Sequence, residues 1–268
     1  MTTFVDTDFG QQLKTTFPMI DPDWTPLPCL SARQFTAFLG ILSEQAPMLA
    51  GIEVAARYVP MKGVSGDYCD FLPIREGQIG LAIGDVCGKG LDAAFLMASL
   101  CASLRARVQV CPEVGELLAY LNRITCRDTL RHQFVTMVYG IWDANSHTFT
   151  YSGAGHPPVL HYHAATGHVS ELRAGGMVLG VYEEIEYPVE SVSLDLGDTL
   201  VMYTDGIIEA TDAADEVFGI HGLSEVLAKH GEESSEVLTE AILSTTSQFA
   251  HHGWEDDVTL LVMKRVDE

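Results

Sequence analysis

Residues 81–98 read LAIGDVCGKGLDAAFLMA: an apolar strand-like run, a glycine-rich turn, then a helical pattern. Two kinds of fold compete for this stretch. Gly84, Gly88, Lys89 and Gly90 give the turn the look of a phosphate-binding loop, which would open a nucleotide-binding α/β domain. That loop, however, needs G-x-x-x-x-G-K-[ST], with the closing hydroxyl on Mg2+. Gly84 to Gly88 is one residue short, and Gly90 stands where the Ser or Thr belongs. The nucleotide cradle is therefore set aside. What remains is Asp85, a charge at the end of an apolar run, which is costly to bury unless paired or coordinated.

The surroundings point the same way. Beyond residue 51, short β-type runs dominate: IEVAARYV (52–59), QIGLAIGD (78–85), VTMVYGIW (135–142), HTFTYSGA (147–154), PVLHYHA (158–164), ESVSLDL (190–196), TLVMYTDG (199–206) and VTLLVMKR (258–265). WDANSHT (142–148) and LGDT (196–199) are turn clusters suited to hairpins. Helical spacing appears in fewer places. These are 91–108, with Leu96, Met97, Leu100 and Leu104; 114–125, with Leu117, Leu118, Leu121 and Ile124; and 235–249. Strands outnumber helices and do not alternate with them, which disfavours a doubly wound parallel sheet. The pattern predicts an α+β fold with an antiparallel two-sheet core flanked by helices.

Two regions are expected. Residues 1–50 form an N-terminal extension, proline-rich at first and then helical over SARQFTAFLGILSEQ (31–45), where Ser31 is a candidate N-cap. Phe35, Phe38, Leu39 and Leu42 make one apolar stripe, which either packs on its own domain or meets a regulator or a second copy. Residues 51–268 form the main domain. A hydrophobic fraction of 47% with 19% charged residues describes a folded globular chain. The net charge of −22 argues against nucleic acid, whose phosphates demand Lys and Arg, and against anionic lipid. It reflects either an acidic solvated surface or carboxylates neutralised by cations. Cys29, Cys69, Cys87, Cys101, Cys111 and Cys126 form no C-x-x-C pair and suit reduced thiols. No signal peptide opens the chain, and no apolar run reaches the ~20 residues of a membrane span. A cytoplasmic protein is expected.

Aspartates at strand ends recur. Asp205 follows TLVMYT, Asp256 and Asp257 precede VTLLV, and Asp67 and Asp70 lie in GVSGDYCDF. If these ends converge with Asp85, the result is an all-oxygen site for hard cations such as Mg2+ or Mn2+. Turn aspartates scattered through an acidic β-rich protein would give the same count.

Taken in order, GVSGDYCDF, GDVCGKGLDAAFLMA, FVTMVYG, YSGAGHPPVL, LGDTLVMYTDGIIEA, VFG and DDVTLLV resemble the PPM-type metal-dependent serine/threonine phosphatases. The similarity is to their bacterial branch, which serves sporulation and the general stress response, and it covers roughly residues 51–266. It implies a four-layer αββα sandwich with a two-metal centre, Mn2+ or Mg2+, at one edge. By the same resemblance, Asp67, Asp85, Asp205 and Asp256 are the metal carboxylates, with Asp85 bridging both ions and the Val86 carbonyl as a further ligand. Asp256, which opens its motif, is preferred to Asp257. Asp70 is expected to orient water or a ligand. The implied reaction is hydrolysis of a phosphoserine or phosphothreonine by metal-activated water. The implied substrate is a phosphorylated anti-sigma-factor antagonist. SGD in place of GGD, GKG in place of GHG and the missing proline in GMVLG keep every carboxylate and bear on substrate preference.

Other residues invite assignment. Lys89 is either a solvated turn lysine or a point charge for the substrate phosphate. Ser65 reads as a turn residue rather than a nucleophile. His156, before two prolines, is either a general acid or structural. His161 and His163 alternate as a strand would and share a face, but without a third ligand at useful spacing no zinc site is expected there. His251 and His252 are expected to end the last helix. A competing class is a phosphoprotein-binding signalling module without turnover; a lesser one is another two-metal hydrolase such as a phosphodiesterase.

Overall fold

The computed structural model describes residues 51–60, 65–111, 113–129 and 133–267. The expected helix at 31–45, with its stripe, lies outside them. Ten strands are described: β1 Ile52–Val59, β2 Tyr68–Arg75, β3 Gln78–Val86, β4 Val135–Asp143, β5 Thr148–Ala154, β6 Val159–His163, β7 His168–Leu172, β8 Glu190–Ser193, β9 Thr199–Tyr203 and β10 Val258–Arg265. Five helices accompany them: α1 Leu91–Val108, α2 Val114–Asp128, α3 Asp205–Ile208, α4 Gly219–His230 and α5 Ser235–Phe249.

The strands form two antiparallel sheets, ordered β1-β10-β9-β6-β7 and β2-β3-β4-β5-β8. Alternation along each strand feeds two different cores. In β3, Ile79, Leu81 and Ile83 point between the sheets, while Ala82 and Val86 point toward α1 and α2. In β10, Leu261 and Met263 point between the sheets, while Val258, Leu260 and Val262 meet α4 and α5. Both faces of each sheet are thus covered, giving layers of helices, sheet, sheet and helices. This is the expected α+β sandwich.

Several local expectations need correction. LGDT is no hairpin: β8 pairs with β5 in one sheet, while β9 pairs with β10 and β6 in the other, so this turn carries the chain across the sandwich. β2 was not expected as a strand, because Asp70 and Pro73 interrupt its apolar run. Asp70 is buried there by pairing, accepting from Tyr68 Oη at 2.6 Å and Arg105 Nε at 2.6 Å, and Pro73 sits at a register shift. α4 was hidden by Gly219 and Gly222, and β7 is a half-exposed edge strand with little apolar signal. α5 ends at Phe249, so His251 and His252 lie in the turn beyond it.

Candidate metal centre

The site grows from four strand ends at one edge of the sandwich. Asp67 immediately precedes β2 and Asp85 is the penultimate residue of β3, so one sheet supplies both. Asp205 opens α3 just after β9, and Asp256 stands two residues before β10, so the other sheet supplies the second pair. Gly206 lets the second pair close up. A Cβ there would sit 2.1 Å from the Asp257 carbonyl oxygen, so only glycine admits the start of β10 against the α3 N-terminus.

Asp67 spans the two sheets. Its Oδ2 accepts hydrogen bonds from Thr204 Oγ1 at 2.9 Å and Thr259 Oγ1 at 2.6 Å, both residues of the opposite sheet's β9–β10 end. Thr259 N also donates to Thr204 Oγ1, at 2.9 Å. Ser65 is a turn residue as expected, its Oγ accepting from Asp67 N at 2.9 Å.

Asp85 is the hub. It shares a hydrogen bond with Asp67 and feels the negative charges of Asp205 and Asp256. Burial, then these carboxylates, pushes its carboxyl up to about 9. Burial likewise pushes Asp67 up to about 7, against the two threonine hydrogen bonds that favour its charged form. Asp205 is raised by burial and by Asp256. Three acids held together by burial at such a cost, with Asp256 half exposed beside them, form a site that gains from a cation. The Val86 carbonyl oxygen lies 3.1 Å from where a Cβ on Gly66 would be, which places it beside Asp67.

The donors are carboxylate and carbonyl oxygens with no soft ligand, a set that fits Mg2+ or Mn2+. The carboxylates do not close into a single tight cluster, since no three of them bring ligand oxygens within 4.8 Å of one another. They spread around Asp85.

The charge of Asp256 acts on Asp205, Asp85 and Lys89, and that of Asp257 on Asp67, Tyr58 and Lys89. Lys89 is held rather than merely solvated: its Nζ lies 2.7 Å from Asp256 Oδ2. Asp70 does not join the group; its bonds to Tyr68 and Arg105 tie β2 to α1 instead.

Beside the carboxylates opens a cleft of about 360 Å3, lined by Asp85, Thr136, His156, Arg173, Asp205 and Glu209 among others. A larger groove, about 1260 Å3, runs along α2 far from these groups. Thr136 stands opposite Asp85 in the β3–β4 register, and its Oγ1 is 2.9 Å from His156 Nδ1. Burial holds His156 down to about 4, so at neutral pH it is an uncharged imidazole buttressing Thr136. Sequence reasoning missed Thr204, Thr259 and Arg173. The threonines sit inside the motifs YTDG and DDVT, but their task shows only when the sheets meet.

Phosphoserine phosphatase RsbU of Bacillus subtilis is 29% identical over 229 residues, covering 84% of this chain and 67% of that protein. The crystal structure of the RsbU and RsbW domains of Rv1364c from Mycobacterium tuberculosis superposes with a TM-score of 0.69 at 29% identity, over 82% of this chain and 61% of that one. RsbX in complex with magnesium shares the fold, with a TM-score of 0.61 at 16% identity over 82% of this chain and 98% of that one. This chain thus spans about two thirds of the curated relative and less of the mycobacterial chain. Residues 75–266, from the end of β2 to just past β10, match the profile of Stage II sporulation protein E (SpoIIE). The chain belongs to the SpoIIE family of phosphatase domains.

Proposed function

We propose that this chain is a metal-dependent protein phosphatase that hydrolyses phosphoserine or phosphothreonine on a regulatory protein, an anti-sigma-factor antagonist. The observation that carries the reading is the meeting of Asp67, Asp205 and Asp256 around Asp85 beside an open cleft. The likeness to RsbU supports the substrate class.

Asp67, Asp85, Asp205, Asp256 and the Val86 carbonyl would hold two Mg2+ or Mn2+ ions. Such ions supply an activated water for attack on phosphorus and neutralise charge on the transferring oxygens. Thr204 and Thr259 favour the ionised form of Asp67 against burial and aim it across the sandwich. Orienting a ligand in this way is worth roughly 10–100-fold in metal affinity. Arg173, paired with Glu171, brings a guanidinium to a cleft that also holds Asp85, Asp205 and Glu209, and it is matched to the phosphate of the substrate. A cytoplasmic setting agrees with the five described cysteines, all free thiols. Among the described residues no helix is long and apolar enough to cross a membrane. The segment 31–45 is the proposed contact for a regulator or a second copy.

The test is hydrolysis of p-nitrophenyl phosphate and of a panel of phosphorylated anti-sigma-factor antagonists, with and without Mn2+. Turnover is expected only with metal, and Asp85→Asn should lower kcat by at least about 100-fold, near 3 kcal/mol of barrier. Undiminished turnover in chelator, or tight phosphoprotein binding with no hydrolysis under any metal, would refute the assignment.

A further inference from the structure

Asp198 and Asp205 flank β9 at its two ends, about 20 Å apart at the rise of an extended chain. At the Asp198 end a second group of ligand-type side chains meets. His161 and His163 project from one face of β6, their ring centroids 3.8 Å apart. The third ligand that sequence spacing did not supply is Asp198, delivered by the turn that crosses between the sheets. One ring nitrogen from each histidine and one Asp198 oxygen all lie within 4.8 Å of one another.

Hydrogen bonds hold this group in place. His161 Nε2 is 3.0 Å from Asp198 Oδ2. Asp198 is fixed in turn by Ala164 N, donating to Oδ1 at 2.9 Å, and Asp195 N, donating to Oδ2 at 3.0 Å. His163 Nε2 lies 2.9 Å from Ser170 Oγ. The other nitrogen of His161, Nδ1, is buried without a partner, in a residue only 1% exposed. An ion bound here would take the place of the proton between His161 Nε2 and Asp198 Oδ2, and the remaining ring proton would sit on Nδ1.

We propose that His161, His163 and Asp198 form a second metal site, distinct from the aspartate centre and suited to a borderline divalent ion such as Zn2+. Two imidazole nitrogens and a carboxylate favour such an ion over Mg2+. His168 stands directly across from His163 in the β6–β7 register, rings 6.0 Å apart, and offers a further nitrogen from the solvent side. The bound ion would staple the β6–β7 hairpin to the turn that enters β9.

The test reads nitrogen ligation, not activity, so it is independent of the phosphatase assignment. The full chain carrying Asp85→Asn and Asp205→Asn, with the aspartate centre disabled, is titrated with Zn2+ against a chromophoric chelator. It is then loaded with one equivalent of Cu2+ for electron paramagnetic resonance. One saturable equivalent and superhyperfine coupling to at least two imidazole nitrogens are expected. His163→Gln, at a half-buried position, should weaken Zn2+ at least tenfold while leaving the metal-free Tm unchanged. Zn2+ should raise the Tm of the parent and not of this variant. The adjacent surface pair His251 and His252 is the control, and His251→Gln with His252→Gln should keep the signal. Oxygen-only ligation in the parent, undiminished binding in His163→Gln, or loss of the signal in the His251/His252 variant would each overturn the proposal. The parent spectrum alone decides if His163→Gln fails to fold.

Discussion

Asp67 Oδ2 takes two hydroxyl hydrogen bonds, from Thr204 and Thr259, and both favour its ionised form against burial. Thr259→Val keeps the shape and removes the shorter bond. Mn2+ affinity should fall by about tenfold, as for other residues that orient a metal ligand. Stability should fall by about 1–2 kcal/mol in urea. An activity titration against Mn2+ separates the two effects. Lys89 acts in the opposite sense, because its ammonium sits on Asp256 where a cation would bind. The pair is half exposed and its attraction is screened, so Lys89→Ala should tighten Mn2+ only a few-fold. Unchanged or weaker binding would show that Lys89 does not compete with the ion.

At the scale of elements, the site depends on how closely α3 approaches β10. Gly206→Ala would drive a Cβ into the Asp257 carbonyl and push Asp205 away from Asp256. Mn2+ affinity should drop by more than about tenfold, with the loss in metal binding exceeding the loss in Tm. Elsewhere β10 secures α4. Lys264 Nζ donates to the carbonyls of Gly231, Glu232 and Glu233 at 3.0, 2.8 and 2.6 Å, satisfying the chain just beyond the helix C-terminus. Lys264→Met retains the stem and deletes the donor. It should cost about 1.5–3 kcal/mol in urea, the range for hydrogen bonds to a charged group. Kinetic constants of the folded fraction should be unchanged. Element identity was legible where one signal dominated: β10 and α5 coincide with the runs read as VTLLVMKR and SEVLTEAILSTTSQF. It was not legible in β2, where a buried Asp70 and a proline contradict strand propensity and Arg105, on a distant helix, resolves the conflict.

For the whole molecule, the buried acids Asp67, Asp85 and Asp205 link stability to pH. In metal-free protein Asp67 and Asp85 hold protons more tightly folded than unfolded, at about 7 and about 9 against an ordinary 3.8. The folded state therefore binds more protons across that range, and its stability falls as pH rises. Thermal melts in chelator should show Tm decreasing from pH 5 to pH 9. Adding Mn2+ should reverse the trend at the alkaline end, because the ion replaces the protons and binds the ionised carboxylates best. A Tm rising with pH in chelator would contradict the buried acid cluster.

The sequence by itself determined most kinds of element, the two-sheet class and the candidate acidic residues. Local periodicity, turn chemistry and an aspartate ending an apolar run are all written within a few residues. Only the tertiary structure decided which of these ends meet. Asp70, as close to Asp67 in sequence as any candidate, turns away to Arg105. Thr204 and Thr259, unremarked in their motifs, reach across the sandwich to Asp67. The same packing sends LGDT across the sheets rather than round a hairpin, and so brings Asp198 to His161. Such meetings depend on strand pairing between residues far apart in the chain, and no spacing along the sequence records it.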